Sequence, residues 1–515
     1  MAGRPSLVYT HRPRSVAELL LDARRWQGST FIVEGDRRLG FEAHEHAVAR
    51  VARALAAQGI GRGERVMLLA HNRLEWIVAF WALQSLGATA VLGNAWWSDQ
   101  EAGAALDLVE PRAVLTDRSG GQALPARHRP ISLPGLRALV DSGEAIPLDP
   151  TSVDEEDIAL IMFSSGTTGA PKGVVMSHRS VVANIQNLLV LTGRLPDEID
   201  PAAPGTVSLL TVPLFHLAGI QISFSTLLTG GRLALLEGRF DAEAVLRLIE
   251  RERVRVWGAV PTMVSRVLDH PALAQHDISS LRSLPMGGAA MPQGLRQRIR
   301  EVLPRASSGA GNLYGLTEAG GLLAAGSGAE LQDRPACVGR ALPVVELRIH
   351  QADAHGVGEI LARTPAMTRG YWGDPVPLTD AEGWVRTGDI GRLDDEGWLY
   401  VVGRSKDIII RGGENIAAPH VEQCLSLHPD VLECAVVALP QADLGEEVAA
   451  AVVVRPGARL TAQDLQRHAQ AHLGRFEIPS RWWLRREALP TTASGKFLKR
   501  ELVTAWRDVS ACDAA

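Results

Sequence analysis

The stretch Ile158-Ala-Leu-Ile-Met-Phe-Ser-Ser-Gly-Thr-Thr-Gly-Ala-Pro-Lys-Gly173 joins an unbroken apolar run to a string of hydroxyls, glycines and one lysine. The run reads as a buried strand, and the polar string after it reads as an anion-binding loop. Gly166, Gly169 and Gly173 let backbone N–H groups approach phosphate oxygens, Ser164, Ser165, Thr167 and Thr168 add hydroxyl donors, and Lys172 adds a mobile charge. It is not a Walker loop, because Lys172 is followed by Gly173 and not by serine or threonine. A plain Ser/Gly surface loop is the competing explanation, but such loops seldom carry this density of donors directly after a buried strand. The implied ligand is a nucleoside triphosphate.

Outward from this loop, short Val/Ile/Leu-rich strands at 65–70, 113–116, 207–212, 232–236 and 254–258 alternate with amphipathic helices. That alternation predicts α/β layers with largely parallel sheets. The segment 241–251 shows the helical period, with Asp241 as N-cap and Val245, Leu246 and Ile249 on one face. After about Gly358 the texture changes to Gly-punctuated short strands, which predicts a β-rich subdomain and then a smaller α+β unit.

A chain of 515 residues, 46% hydrophobic and 22% charged, divides into at least two domains. A net charge of -5 argues against nucleic acid as a partner. Cys337, Cys424, Cys434 and Cys512 show no metal-ligand spacing and suit a reducing cytosol, so the expected location is cytoplasmic. Residues 77–97 and 207–231 contain no formal charge before Arg232, but glycines and polar residues interrupt both, so buried α/β elements are expected and no transmembrane segment.

Further strings match the first in density. Gly287-Gly288-Ala289-Ala290 offers small residues against which a planar group can lie. Asn312-Leu313-Tyr314-Gly315-Leu316-Thr317-Glu318 combines an amide, an aromatic face, a hydroxyl and a carboxylate. Asp389, Arg404, Lys406 and the Gly412-Gly413 pair come next, and Lys496 lies on a Gly/Ser turn near the C-terminus.

In this order the strings resemble the adenylate-forming superfamily of acyl-CoA synthetases, beetle luciferases and peptide-synthetase adenylation domains. The resemblance runs from near Val51 to Lys499. It implies an α/β fold: a large N-terminal domain of two α/β-layered sheets plus a distorted β-barrel (1–403), a hinge (404–408), and a small mobile α+β domain (409–515). By the same resemblance Ser164 to Gly169 and Lys172 wrap the β- and γ-phosphates of ATP, Thr317 touches the α-phosphate, and Glu318 holds Mg²⁺. Tyr314 stacks on adenine, Asn312 reads its amine, and Gly288, Ala289 and Leu313 line the pocket. Asp389 accepts the ribose hydroxyls, with Arg404 beside it. Lys496 bridges the substrate carboxylate and α-phosphate, and His216 gates the acyl pocket. Lys406 matches the hinge residue, and Gly412-Gly413 lie in the loop that admits the thiol of coenzyme A.

The implied reaction is ATP-dependent activation of a carboxylic acid to an acyl-adenylate, followed by transfer to coenzyme A. Alternatives are loading of an acyl carrier protein's phosphopantetheine, or a binding protein on an inactive copy of the fold. No Asp or Glu occurs between Pro204 and Leu236, so nothing there pairs the ammonium of an amino acid. Leu217, Ala218, Gly219, Ile220 and Phe224 favour a fatty or aromatic acid. Ala417-Ala418-Pro419-His420 departs from the family pattern, which places proline earlier and glutamate where His420 stands.

Overall fold

The computed structural model describes residues 7–119, 124–164, 171–195, 198–203, 205–289, 291–334, 337–492 and 495–512. The apolar run forms the strand Ile158–Ser164 in a six-stranded sheet, beside Thr89–Gly93 on one flank and Lys172–Ser177 on the other. All its neighbours pair in parallel except the last two strands, which form an antiparallel hairpin. A second, five-stranded sheet has the order Val256–Gly258, Val207–Leu210, Arg232–Leu235, Thr30–Glu34, Arg37–Gly40, again parallel up to the final hairpin.

The helix Leu74–Ser85 explains one uncharged stretch: every residue in it is buried. A helix buried all round belongs inside a layered core, and its polar members are paired there, Glu75 with Arg37 at 2.7 Å and Gln84 with the Ala159 carbonyl at 3.0 Å. Its Trp81 stacks on Phe224 of the helix Leu217–Leu228 at 4.5 Å between centroids. Among the described residues no helix is long and apolar enough to cross a membrane. The predicted helix at 241–251 is Ala242–Glu252, capped by the Asp241 side chain, which accepts the Ala244 N–H at 2.7 Å.

A third sheet has eight strands, and every neighbouring pair is antiparallel except Met286–Gly287 with Asn312–Leu316. It begins well before Gly358, where the change of texture was expected. Strands such as Asn312–Leu316 and Gly321–Gly326 are short and Gly/Ala-rich, so their period-2 pattern is faint in sequence. The fourth sheet, built on Ile408–Arg411, Glu414–Ala417, Val431–Gln441, Gly445–Val454 and Arg481–Arg485, is covered by the helices Ala418–Leu425, Ala462–His472 and Lys499–Cys512. Its two hydrophobic clusters contain no residue before Ile409, and the other clusters contain none after Leu399. The chain therefore packs two separate interiors on either side of Arg404.

Candidate active site

Ser164 and Lys172 face each other across the hairpin as register partners. Ser165, Gly166, Thr167, Thr168 and Gly169 lie outside the described residues. Beside the hairpin, the Trp372 N–H donates to the Gly173 carbonyl at 2.7 Å, which sets Tyr371 against Lys172. The Lys172 ammonium lies 5.0 Å from the Tyr371 ring centre, and the Tyr371 hydroxyl donates to Glu318 Oε1 at 3.2 Å. Burial, reinforced by Glu318, pushes the Tyr371 hydroxyl up to about 12, so it stays a donor. Sequence reasoning missed Tyr371, which no motif contained; the preceding Gly370 was its one local signal.

Strand Asn312–Leu316 runs into a single helical turn, Thr317–Ala319, which presents Thr317 and Glu318 half-buried at the strand end. Leu313 is half-buried beside them. Asn312 is buried, and its Nδ2 donates to the Cys337 carbonyl at 3.1 Å, leaving Oδ1 as its acceptor. Tyr314 donates to Asp389 Oδ2 at 2.8 Å, and Arg404 Nε lies 2.9 Å from Asp389 Oδ1. Burial first and the Asp389 charge second raise the Tyr314 hydroxyl far above its ordinary range. Asp389 and Arg404 are direct cross-strand partners, so the ladder itself holds this pair.

Lys496 reaches this group from the small domain. Its turn closes through Thr492 N–H to the Lys496 carbonyl at 2.7 Å and Gly495 N–H to the Thr492 carbonyl at 2.8 Å. The Lys496 stem passes over Gly288, where a Cβ would come within 3.3 Å of its Cε; Gly288 also sits at φ +80°, which disfavours any side chain. Ala289 beside it is exposed. Crowding by protein atoms, then by Arg404, lowers the Lys496 pKa against the opposing pull of Asp389 and Glu318. Lys406 is lowered in the same way, by burial and then Arg404. Lys172, Arg404, Lys406 and Lys496 thus outnumber Glu318 and Asp389 around one space, an excess suited to a polyanion.

His216 is the N-cap residue of the helix Leu217–Leu228. Burial and then the Lys496 charge hold its imidazole down at about 4, so it is neutral at pH 7. The loop before it is clamped by Asn72, which donates to the Val212 carbonyl at 2.9 Å and accepts the Leu214 N–H at 2.8 Å. Neither Asn72 nor this clamp was visible in sequence. Of the five residues expected along the acyl pocket, Gly219, Ile220 and Phe224 are buried, with Phe224 stacked on Trp81 of the core helix. The accessible face of that helix is Leu217, Ala218, Ile222 and Ser225.

The Gly412-Gly413 pair forms the tip of the hairpin between Ile408–Arg411 and Glu414–Ala417, with φ +59° and +90°. Two successive positive φ angles define a tight hairpin turn that demands glycine, which is a conformational reason for the pair. His420 lies 3.7 Å from Glu477.

Residues 21–372 match the AMP-binding enzyme family, and residues 420–496 match the AMP-binding enzyme C-terminal domain. The chain belongs to the AMP-binding enzyme family. It is 32% identical over 499 residues to a feruloyl-CoA synthase of an Amycolatopsis species, covering 93% of this chain and 96% of the relative. An indoleacetate–CoA ligase of Aromatoleum aromaticum is 34% identical over 498 residues, covering 92% of this chain and 94% of the relative. The fold is similar to that of o-succinylbenzoate CoA synthetase from Bacillus subtilis in complex with the acyl-adenylate OSB-AMP, with a TM-score of 0.79, 27% identity, and coverage of 94% and 97% of the two chains.

Proposed function

We propose that this protein activates a carboxylic acid with ATP to an acyl-adenylate and then transfers the acyl group to coenzyme A, releasing AMP and pyrophosphate. The observation that carries the reading is the delivery of Lys496 over Gly288 into the space bounded by Glu318, Asp389 and Arg404. There its charge offsets the negative charge that gathers as the acid's carboxylate attacks the α-phosphorus. Asp389 accepts the ribose hydroxyls, exchanging its bond from Tyr314 for them, while Arg404 stays beside it. Tyr314 and Leu313, with Gly288 and Ala289, flank the base, and Asn312 Oδ1 accepts from its amine. Thr317 contacts the α-phosphate, and the Ser164–Lys172 loop holds the outer phosphates.

Glu318 is a hard oxygen donor joined through Tyr371 to the side of Lys172, so it fits a role in holding Mg²⁺. Bound there, the ion neutralises phosphate charge. Tyr371 orients the Glu318 carboxylate for it.

The chain is read as a large domain (1–403), a hinge (404–408) turning at Lys406, and a small domain (409–515). Support comes from the separate hydrophobic interiors on either side of Arg404. In the present pose Lys496 is at the site; the second half-reaction requires the small domain to turn and bring the Gly412-Gly413 hairpin in its place. The acyl wall is Leu217, Ala218 and Ile222, gated by His216. It is apolar and offers no partner for an ammonium, and the feruloyl and indoleacetate ligases to which the chain is similar act on aromatic acids. An aromatic or fatty acid is the substrate class.

The test is pyrophosphate release with ATP and Mg²⁺ over a panel of aryl, fatty and amino acids, with and without coenzyme A, with products identified by mass spectrometry. A coenzyme A thioester from an aryl or fatty acid is expected. Adenylate without thioester redirects the second step to a carrier protein, and no turnover by any acid overturns the reading.

A further inference from the structure

Away from the nucleotide site, the helix Ala418–Leu425 lies against the helix Ala462–His472. On the second helix His468 and His472 are one turn apart, an i, i+4 pair whose imidazoles share a face. That spacing lets two histidines on one helix hold a single metal ion. Cys424, on the first helix, completes a group: its Sγ and one ring nitrogen from each histidine all lie within 4.8 Å of one another. Among the described residues this is the one place where three such side chains converge. The absence of metal-ligand spacing among the cysteines hid it, because Cys424 and His468 are 44 positions apart.

A tetrahedral zinc ion holds sulfur at about 2.3 Å and nitrogen at about 2.0–2.1 Å, so its ligands stand about 3.3–3.6 Å apart. Atoms at the 4.8 Å limit need to close by about 1.2–1.5 Å, which is within the reach of side-chain rotation. One nitrogen of each ring has a backbone partner: His468 Nε2 lies 3.0 Å from the Cys424 carbonyl, and His472 Nδ1 lies 2.9 Å from the His468 carbonyl. Each imidazole keeps a lone pair on its other nitrogen. His428 stays outside the group, since its Nδ1 accepts the Asp430 N–H at 3.2 Å and its ring meets His468 edge-on. Exposure rises from buried Cys424 through half-buried His468 to exposed His472, which gives an ion its entry path.

We infer that Cys424, His468 and His472 form a binding site for a borderline-soft divalent transition-metal ion, Zn²⁺ in particular, with a fourth position open to water. Binding replaces the Cys424 S–H bond by a sulfur–metal bond and releases that proton to solvent, while the imidazoles bind as neutral bases. An ion here pins the helix that follows the Gly412-Gly413 hairpin to the body of the small domain. The site is independent of the adenylation reading.

The test takes the full chain without a polyhistidine tag, stripped by chelation, and titrates it with Zn²⁺ against a chromogenic chelator. One ion per chain is expected, bound at least roughly tenfold more weakly in His472→Gln and in Cys424→Ser. His472 is exposed, so its variant tests the site without disturbing the fold, and His428→Gln should bind as the parent does. Cobalt loading of the parent should give a thiolate-to-metal absorption band that Cys424→Ser abolishes. Equal Zn²⁺ affinity in the parent and His472→Gln, or a cobalt spectrum indifferent to Cys424→Ser, overturns the assignment.

Discussion

Arg266→Ala cuts a tie between the helix Pro261–Leu268 and the C-terminal unit that carries Lys496, and on the proposed two-pose reading it weakens the lysine-delivering pose alone. The helix Pro261–Leu268 and its C-cap Asp269 present Thr262, Arg266 and Asp269 along one face. Thr262 Oγ1 donates to the Gly495 carbonyl at 2.9 Å, Arg266 Nε donates to Glu433 at 3.1 Å, and Asp269 pairs with Arg455 at 2.6 Å. Glu433 is buried and its other oxygen accepts the Leu489 N–H at 2.9 Å, so its orientation is fixed. A charge-assisted bond is worth about 1.5–3 kcal/mol; with the Arg266 side chain 35% exposed, screening reduces this to about 1–1.4 kcal/mol. Once undocked, Glu433 regains water, so the penalty falls on one pose alone. For two poses of similar energy, as the proposed alternation requires, the variant should slow adenylation roughly five- to tenfold. Thioester formation from supplied acyl-adenylate and coenzyme A should hold or quicken. The assay is single-turnover pyrophosphate release set against that second step, and rising salt should bring the parent toward the variant. Equal slowing of both steps, or of neither, refutes the reasoning.

Lys496→Ala should reduce adenylation by at least roughly a hundredfold while sparing thioester formation from supplied acyl-adenylate, measured by the same two assays. Tyr371→Phe removes the bond to Glu318 and should raise the Mg²⁺ concentration required for half-maximal rate a few-fold; an unchanged Mg²⁺ titration counts against the orienting role. Burial holds His44 at about 3 and His178 and His216 at about 4, all below the unfolded value. As pH falls below about 6.5 the unfolded chain takes up protons that the folded chain refuses, so stability drops, by about 2 kcal/mol per histidine at pH 5. Both His44 ring nitrogens are buried without a partner, so His44→Leu should raise the urea midpoint, more at pH 5 than at pH 7. An equal shift at both values would show that His44 does not titrate on unfolding.

The two α/β sheets were legible because their strands are runs of apolar residues buried on both faces, as at Ile158–Ser164. The residues named from motifs do converge: Lys496, Glu318, Asp389 and Arg404 act on one another's charges. What sequence could not supply were groups whose role arises from tertiary neighbours. Tyr371 belongs to the site only because residues 369–372 lie along the strand Lys172–Ser177, and Asn72 only because its amide meets a loop 140 residues away. The burial of Ile220 and Phe224 has the same origin. A helix apolar on every face does not announce which side meets the core, and the partner that decided it was Trp81.

The cross-strand pairing of Asp389 with Arg404 has a mechanical corollary. Arg404 is the final rung of the large domain's ladder, and the short turn Ser405–Asp407 comes at once after it. On the proposed two-pose reading, the axle of the small domain is bolted to the carboxylate that would take the ribose, and every rotation would be referenced to the nucleotide. Lengthening that turn by a residue would throw Lys496 out of phase with the α-phosphate, whereas exchanging side chains along Leu217, Ala218 and Ile222 would leave the timing untouched. Choice of acid and choreography of the two steps reside in parts that can be altered separately.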